Sequence, residues 1–132
     1  MTPQRLELAD LLLIAEVALG RPAEELARVV LIPNAESALA APFATFAGAV
    51  FYSDPAERAA ICCSRILRNR PFPSGNKLVA YECMREMLER AGLPWPRPRE
   101  DARKIANTIE ALAAREMSEA EFVLWVRTRV LT

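Results

Sequence analysis

The chain has 132 residues, 17 of them basic and 17 acidic, and it contains no histidine. That length supports one hydrophobic core without staples, and an apolar share of 52% argues against a disordered chain. A formal net charge of zero argues against bulk nucleic-acid binding, which needs an excess of basic side chains on one face. The three cysteines, Cys62, Cys63 and Cys83, have neither metal-ligand spacing nor the even count of a disulfide framework. They read as small buried thiols of a reduced, cytoplasmic protein.

The first apolar run, LLLIAEVALG, resembles neither a signal peptide nor a membrane span. Glu7, Asp10 and Glu16 interrupt it, and it is too short to cross a bilayer. The spacing predicts a first helix capped at Thr2 with Pro3 in its first position, a stripe of Leu8, Leu11, Leu12, Ala15 and Leu19, and Gly20 as its stop. RPAEELARVVL reads as a turn or short helix closed by Ile32-Pro33. A helix capped at Asn34 follows, and Pro42 ends it near Ala41. FATFAGAVFY, from Phe43, is apolar without a clean period and reads as a covering loop or flap that includes Tyr52 at its end.

A strong start signal comes next: Asp54 as cap, Pro55 in the first position and Glu57 to complete a capping box. Ala59, Cys63, Ile66 and Leu67 then recur at helical spacing. After the turn RPFPSG, a helix from about Asn76 to Ala91 carries two adjacent apolar stripes, so it is expected to be central, with Gly92 beyond its end. PWPRPRE reads as an extended linker. Ile105, Ile109 and Leu112 form the inner face of another helix, and Ser118 with Glu121 caps a last one through Phe122, Val126 and Val130. No segment alternates clearly enough to predict a sheet. The expectation is all-α: one domain over residues 1–132, about six helices, and a turn between the two central ones.

That turn carries the chemistry. Pro71 and Pro73 leave Phe72 little freedom of direction, and it is expected to plug the core. Gly75 permits a positive φ, Asn76 tolerates one, and the following helix presents free amides and the positive end of its dipole, with Lys77 adding a charge. From the residues alone two readings stand: an anion-binding concavity, or a proline-ordered turn with Ser74 as a helix cap.

The stretch RPFPSGNKLVA resembles the signature of the Fic/Doc (Fido) family, most closely that of its death-on-curing (Doc) branch, H-x-F-x-D-G-N-K-R-x-A. It matches at Phe72, Gly75, Asn76, Lys77 and Ala80. The segments ESALAAPFATFAGAVFY, AAICCSRILRN, ERAGL and ALAAREMSEAEFVLWVRTRV are similar to the family's helix and flap beside the active site, its helix into the motif, and the Doc ending. Asn69 stands where Doc-like proteins often carry asparagine. The resemblance implies a Fido helical domain whose histidine takes a proton from a target hydroxyl. It also implies an acid that binds magnesium on nucleotide phosphates, a Gly-Asn-Lys anion hole, and an arginine on phosphate.

Three of those positions are changed. Arg70 replaces the histidine, and a guanidinium accepts no proton near neutrality. Ser74 replaces the acid, so magnesium with ATP is expected to bind weakly. Leu78 replaces the arginine. Gly75, Asn76, Lys77 and Ser74 remain the candidate phosphate or nucleotide contacts, with Phe72 structural. The resemblance implies the toxin component of a type II toxin–antitoxin pair, catalytically impaired, in the cytoplasm. A Phd-like antitoxin would mask it, its target would lie in the translation machinery, and neither nucleic acid nor membrane would bind it. The family's self-inhibitory motif, Ser/Thr-x-x-x-Glu-Gly/Asn, is absent, so a neutraliser is expected to be a separate chain. Two alternatives stand beside this: a transferase of changed chemistry (kinase or AMP-transferase on a protein hydroxyl), and a non-catalytic binding module.

Overall fold

The computed structural model describes residues 3–95 and 102–130. Its first helix, α1 (Leu8–Leu19), starts later than the Pro3 position suggests. Glu7 and Asp10 form a reciprocal capping box, with the Glu7 N–H donating to the Asp10 carboxylate at 2.8 Å. That box satisfies the first-turn amides locally and displaces the start five residues downstream of Pro3. Thr2 lies outside the described residues. Gly20 ends the helix in the left-handed region, as expected.

The short α2 (Ala23–Val29) stops at Val30, before the Ile32-Pro33 pair. Pro33 opens the next helix instead, α3 (Ile32–Ala40), with Leu31 at the cap position. A first-turn proline loses no hydrogen bond, since its amide would have no intrahelical partner. Asn34 is therefore inside α3 rather than capping it. Its side chain has a distant partner: the Asn34 amide donates to the Asn69 carbonyl at 2.8 Å, and Asn69 returns a bond to the Asn34 carbonyl at 3.2 Å. Pro42 ends the α-helix as predicted, and the chain tightens into a 3-10 turn over Ala41–Phe43.

The apolar flap segment forms a small antiparallel hairpin, β1 (Thr45–Phe46) with β2 (Ala49–Val50), paired Thr45 to Val50 and Phe46 to Ala49. No sheet was predicted there, because two-residue strands are too short to show alternation. The signal sits in the turn, where Ala47 and Gly48 both take positive φ, 52° and 81°. That geometry matches the twist of a tight hairpin.

Two fifteen-residue helices form the centre, α4 (Pro55–Asn69) and α5 (Asn76–Arg90). Asp54 caps α4 by accepting from the Ala56 amide at 3.3 Å, without the reciprocal bond expected of Glu57. Ala59, Ala60, Cys62 and Cys63 of α4 are wholly buried, as are Val79, Ala80, Cys83 and Met84 of α5. Small side chains at this contact let the two axes approach closely. The cysteines are packing residues: all three are free and buried, and burial pushes the Cys62 thiol up to about 12. Past Arg90, Gly92 at φ 74° closes a Schellman ending, with Leu93 N–H on Leu88 and Gly92 N–H on Glu89.

The last two helices are α6 (Ala102–Ala113) and α7 (Glu119–Val130). The predicted box is present, with Glu121 N–H on Ser118 Oγ at 3.1 Å and Ser118 N–H on Glu121 at 2.9 Å. Phe122 and Val126 anchor α7 in the core. Trp95 donates to the Tyr81 hydroxyl at 2.9 Å and meets Trp125 edge-on, tying the end of the described segment after α5 to α7. Residues 96–100 of the expected linker lie outside the described residues. Seven α-helices are described rather than about six, and the all-α class stands.

Candidate phosphate site at the α4–α5 turn

The turn between α4 and α5 is held from four sides. Arg70 caps α4 in the left-handed region, φ 46° and ψ 61°, with its N–H on the Ile66 carbonyl. The next carbonyl, Pro71, accepts the Leu31 N–H at 2.8 Å, and the Asn34–Asn69 exchange fastens the same corner to α3. Phe72 is buried, as its proline neighbours predict. Burying a phenylalanine contributes on the order of 2–3 kcal/mol.

Asn76 closes the loop. Its side-chain carbonyl accepts the Phe72 N–H at 3.0 Å, and its amide donates to the Phe72 carbonyl at 2.8 Å. Only one orientation of the amide satisfies both partners, since a backbone N–H must meet an oxygen. Asn76 is 8% exposed. Its side chain thus acts on the loop's shape, while its backbone sits in the first turn of α5. Gly75 is the N-cap of α5 at φ 82°, and a Cβ there would come within 2.4 Å of Leu19 Cδ2. Glycine is required both by the dihedral and by the approach of α1. Ser74 does not cap the helix; no side chain does, so the α5 amides are left open.

A cavity of about 490 Å³ lies over this turn, lined by Leu67, Arg68, Arg70, Pro73, Ser74, Gly75, Asn76, Lys77, Ala113 and Arg115. All the candidate residues except the core plug Phe72 therefore meet at one place. Leu78 does not: it lines a separate groove between α1 and α5, with Leu13 and Val17. No hairpin residue lines the cavity either, so the flap segment and the motif turn form no shared wall.

The lining holds four cationic side chains and no carboxylate. Two are already paired, Lys77 with Glu110 of α6 and Arg68 with Glu119 of α7, the latter at 3.6 Å. Lys77 is 54% exposed, and an exposed pair of this kind contributes about 0.2–1 kcal/mol. It yields readily to a competing anion. Arg70 and Arg115 have no side-chain hydrogen bond or ion pair among the described residues. Magnesium, expected from the resemblance, does not fit the donor set. Ser74 offers a neutral hydroxyl amid positive charge, and no group of three or more His, Cys, Asp or Glu is placed to hold a metal among the described residues.

Arg68 and Arg115 were not foreseen. Arg68 sits on α4 two residues before the motif, where it reads as a solvated helix residue, and Arg115 reaches the cavity only because the corner between α6 and α7 folds back over α4. A second cavity of about 460 Å³ continues from the first, sharing Leu67, Arg68, Ala113 and Arg115 and reaching Ser64 and Glu119. There Glu119 accepts from Ser64 Oγ at 2.6 Å and from Arg65 at 3.0 and 3.2 Å, fixing the start of α7 to α4. Burial alone raises the Glu119 carboxyl. The bonds from Arg65 and Ser64, with the Arg68 charge, outweigh it and hold the group below the usual carboxylate range.

No helix among the described residues is long and apolar enough to cross a membrane. No curated protein and no solved structure matches the chain. The model of the Fic/DOC family matches residues 5–88, a span that runs from the irregular segment before α1 nearly to the end of α5 and contains the whole motif turn. More than half of the sequence lies within that match, and the chain belongs to the Fic/DOC family.

Proposed function

We propose that this protein is a Doc-like toxin component of a type II toxin–antitoxin pair, one domain over residues 1–132, whose motif turn keeps a phosphate cradle and has lost its general base. The observation that carries this reading is the lining of the 490 Å³ cavity: open α5 amides and four cations, with no histidine and no carboxylate. Phosphoryl and nucleotidyl transfer rest on positioning and charge neutralisation, which such a lining retains. Proton abstraction needs a base, and losing one costs on the order of 10²- to 10⁴-fold in rate. A cytoplasmic protein of this kind would bind the phosphates of ATP and turn over slowly. Its partners would be a Phd-like antitoxin and a target in the translation machinery.

Two measurements test this. Millimolar ATP should raise the melting temperature of the purified chain, and Lys77→Ala should reduce the rise. Labelled ATP should transfer no label to proteins of a cell extract, whereas Arg70→His with Ser74→Asp should gain transfer. Robust transfer by the unaltered chain overturns the loss of activity, and the absence of any ATP-induced shift overturns the cradle.

A further inference from the structure

Only three residues other than glycine have a positive φ among the described residues: Ala47 in the hairpin turn, Arg70 at 46° and Arg115 at 62°. The left-handed region is costly for a side chain with a Cβ, and helix ends that need it normally use glycine or asparagine. Here two helices, α4 and α6, each end in a left-handed arginine, and both arginines line the same cavity. Outliers of this kind persist where the surrounding structure or a ligand gives a reason for them. Among the described residues neither guanidinium has a carboxylate partner, so both are available to an anion in the cavity.

We propose that Arg70 and Arg115 form a two-arginine clamp for the terminal phosphates of a nucleoside triphosphate, and that this clamp replaces the divalent cation. The inference rests on the phosphate-cradle reading and deepens it by naming what neutralises the bound charge. A magnesium ion supplies two positive charges to a polyphosphate, and two guanidiniums supply the same charge with donors in a planar fork suited to phosphate oxygens. The open amides of α5 face the same space as a third set of donors. A cation bound to the phosphates would meet the Arg70 and Arg115 guanidiniums, and the nearest acids, Glu110 and Glu119, are already engaged by Lys77 and Arg68. Metal is therefore unfavourable here rather than merely unsupported. Arg115 lies outside residues 5–88, so the clamp joins the motif turn to a part of the chain that the family match does not cover.

The two dihedrals supply the test. Glycine fits both positions without strain, so Arg70→Gly and Arg115→Gly should fold at least as well as the unaltered chain while losing the clamp. Calorimetric titration of the full chain with ATP, tripolyphosphate and adenosine, each in EDTA and in excess magnesium, reads the outcome. We expect ATP and tripolyphosphate to bind in EDTA, magnesium to weaken both, and adenosine not to bind. Each glycine variant should lower the affinity for ATP about tenfold, as loss of a charged hydrogen-bond donor does. Where a glycine variant unfolds, Arg115→Asn, which also tolerates the left-handed region, takes its place. ATP binding that requires magnesium, or that survives both glycine variants unchanged, overturns the clamp and leaves the cradle. Failure of both ATP and tripolyphosphate to bind the unaltered chain overturns the two together, and adenosine binding as tightly as ATP overturns the assignment to phosphate.

Discussion

Replacing Asn76 by alanine removes the clamp that shapes the motif turn, and its effect can be worked from the two bonds it makes. The Phe72 N–H and carbonyl each lose a side-chain partner, at 3.0 and 2.8 Å respectively, in a place where Asn76 is 8% exposed. A net hydrogen bond contributes about 1 kcal/mol, and a buried polar group left without a partner costs about 1–3 kcal/mol. Water reaches the loop from the cavity side and recovers part of that loss, so we expect about 2–4 kcal/mol in total. For a domain of this size the melting temperature should fall by roughly 10 °C. The assay is urea unfolding with and without the substitution, followed by far-ultraviolet circular dichroism. Asn76→Asp gives the sharper comparison. It keeps an acceptor for the Phe72 N–H and places a second acceptor against the Phe72 carbonyl, so it should also destabilise although its shape is unchanged. A residue that served only to touch a ligand would lower affinity and leave stability alone. A stability loss below about 0.5 kcal/mol for both variants refutes the structural role, since surface substitutions away from special features fall in that range.

Gly75→Ala should cost about 1–2 kcal/mol from the left-handed dihedral, and Leu19→Ala in the same chain should recover only the part due to the 2.4 Å approach; a neutral Gly75→Ala removes the argument for glycine. The Glu119 carboxyl is lower in the folded chain than in the unfolded one, so its contribution is present above the usual glutamate value and is lost as pH falls through the lower, folded value. Glu119→Gln should therefore lower stability at pH 7 by about 1–3 kcal/mol and flatten the acid arm of a stability–pH curve; equal slopes below pH 4.5 rule this out. Cys62, Cys63 and Cys83 should resist a thiol reagent in the native state and react together after denaturation; one fast native thiol contradicts the packing role.

Helix identity was legible wherever the apolar period and a cap agreed. The box at Ser118 and Glu121, the stop at Gly92 and the double stripe of α5 all appear as the residues imply. The starts of α1 and α3 were not, for one physical reason. Thr2-Pro3 and Asn34 are acceptable caps in isolation, but a cap is a competition among nearby acceptors. Glu7 with Asp10 captured the first, and the backbone carbonyl of Asn69, 35 residues away, captured the side chain of Asn34. A partner at that separation leaves no trace in a window of ten residues. The hairpin failed for the opposite reason: its information is confined to two turn residues, and two-residue strands have no period.

At the motif the sequence named residues that the structure gathers around one cavity, and it left their division of labour open. Asn76 and Lys77 both read as anion contacts, yet one side chain holds Phe72 and the other holds Glu110. The cation that Arg115 adds to the cavity could not have been found by looking along the motif, because it comes from elsewhere in the chain. Leu78 faces α1, so an arginine restored there would begin in the wrong groove, whereas Arg115 enters the cavity from the far end of α6. A substitution that removes a base, an acid and a cation looks like decay when each position is read alone. Read as a lining, the same changes leave no carboxylate and four cations around the open end of a helix. Decay and altered chemistry are therefore separated by measurement: decay predicts no affinity for polyphosphate that depends on Arg70 and Arg115, and altered chemistry predicts one.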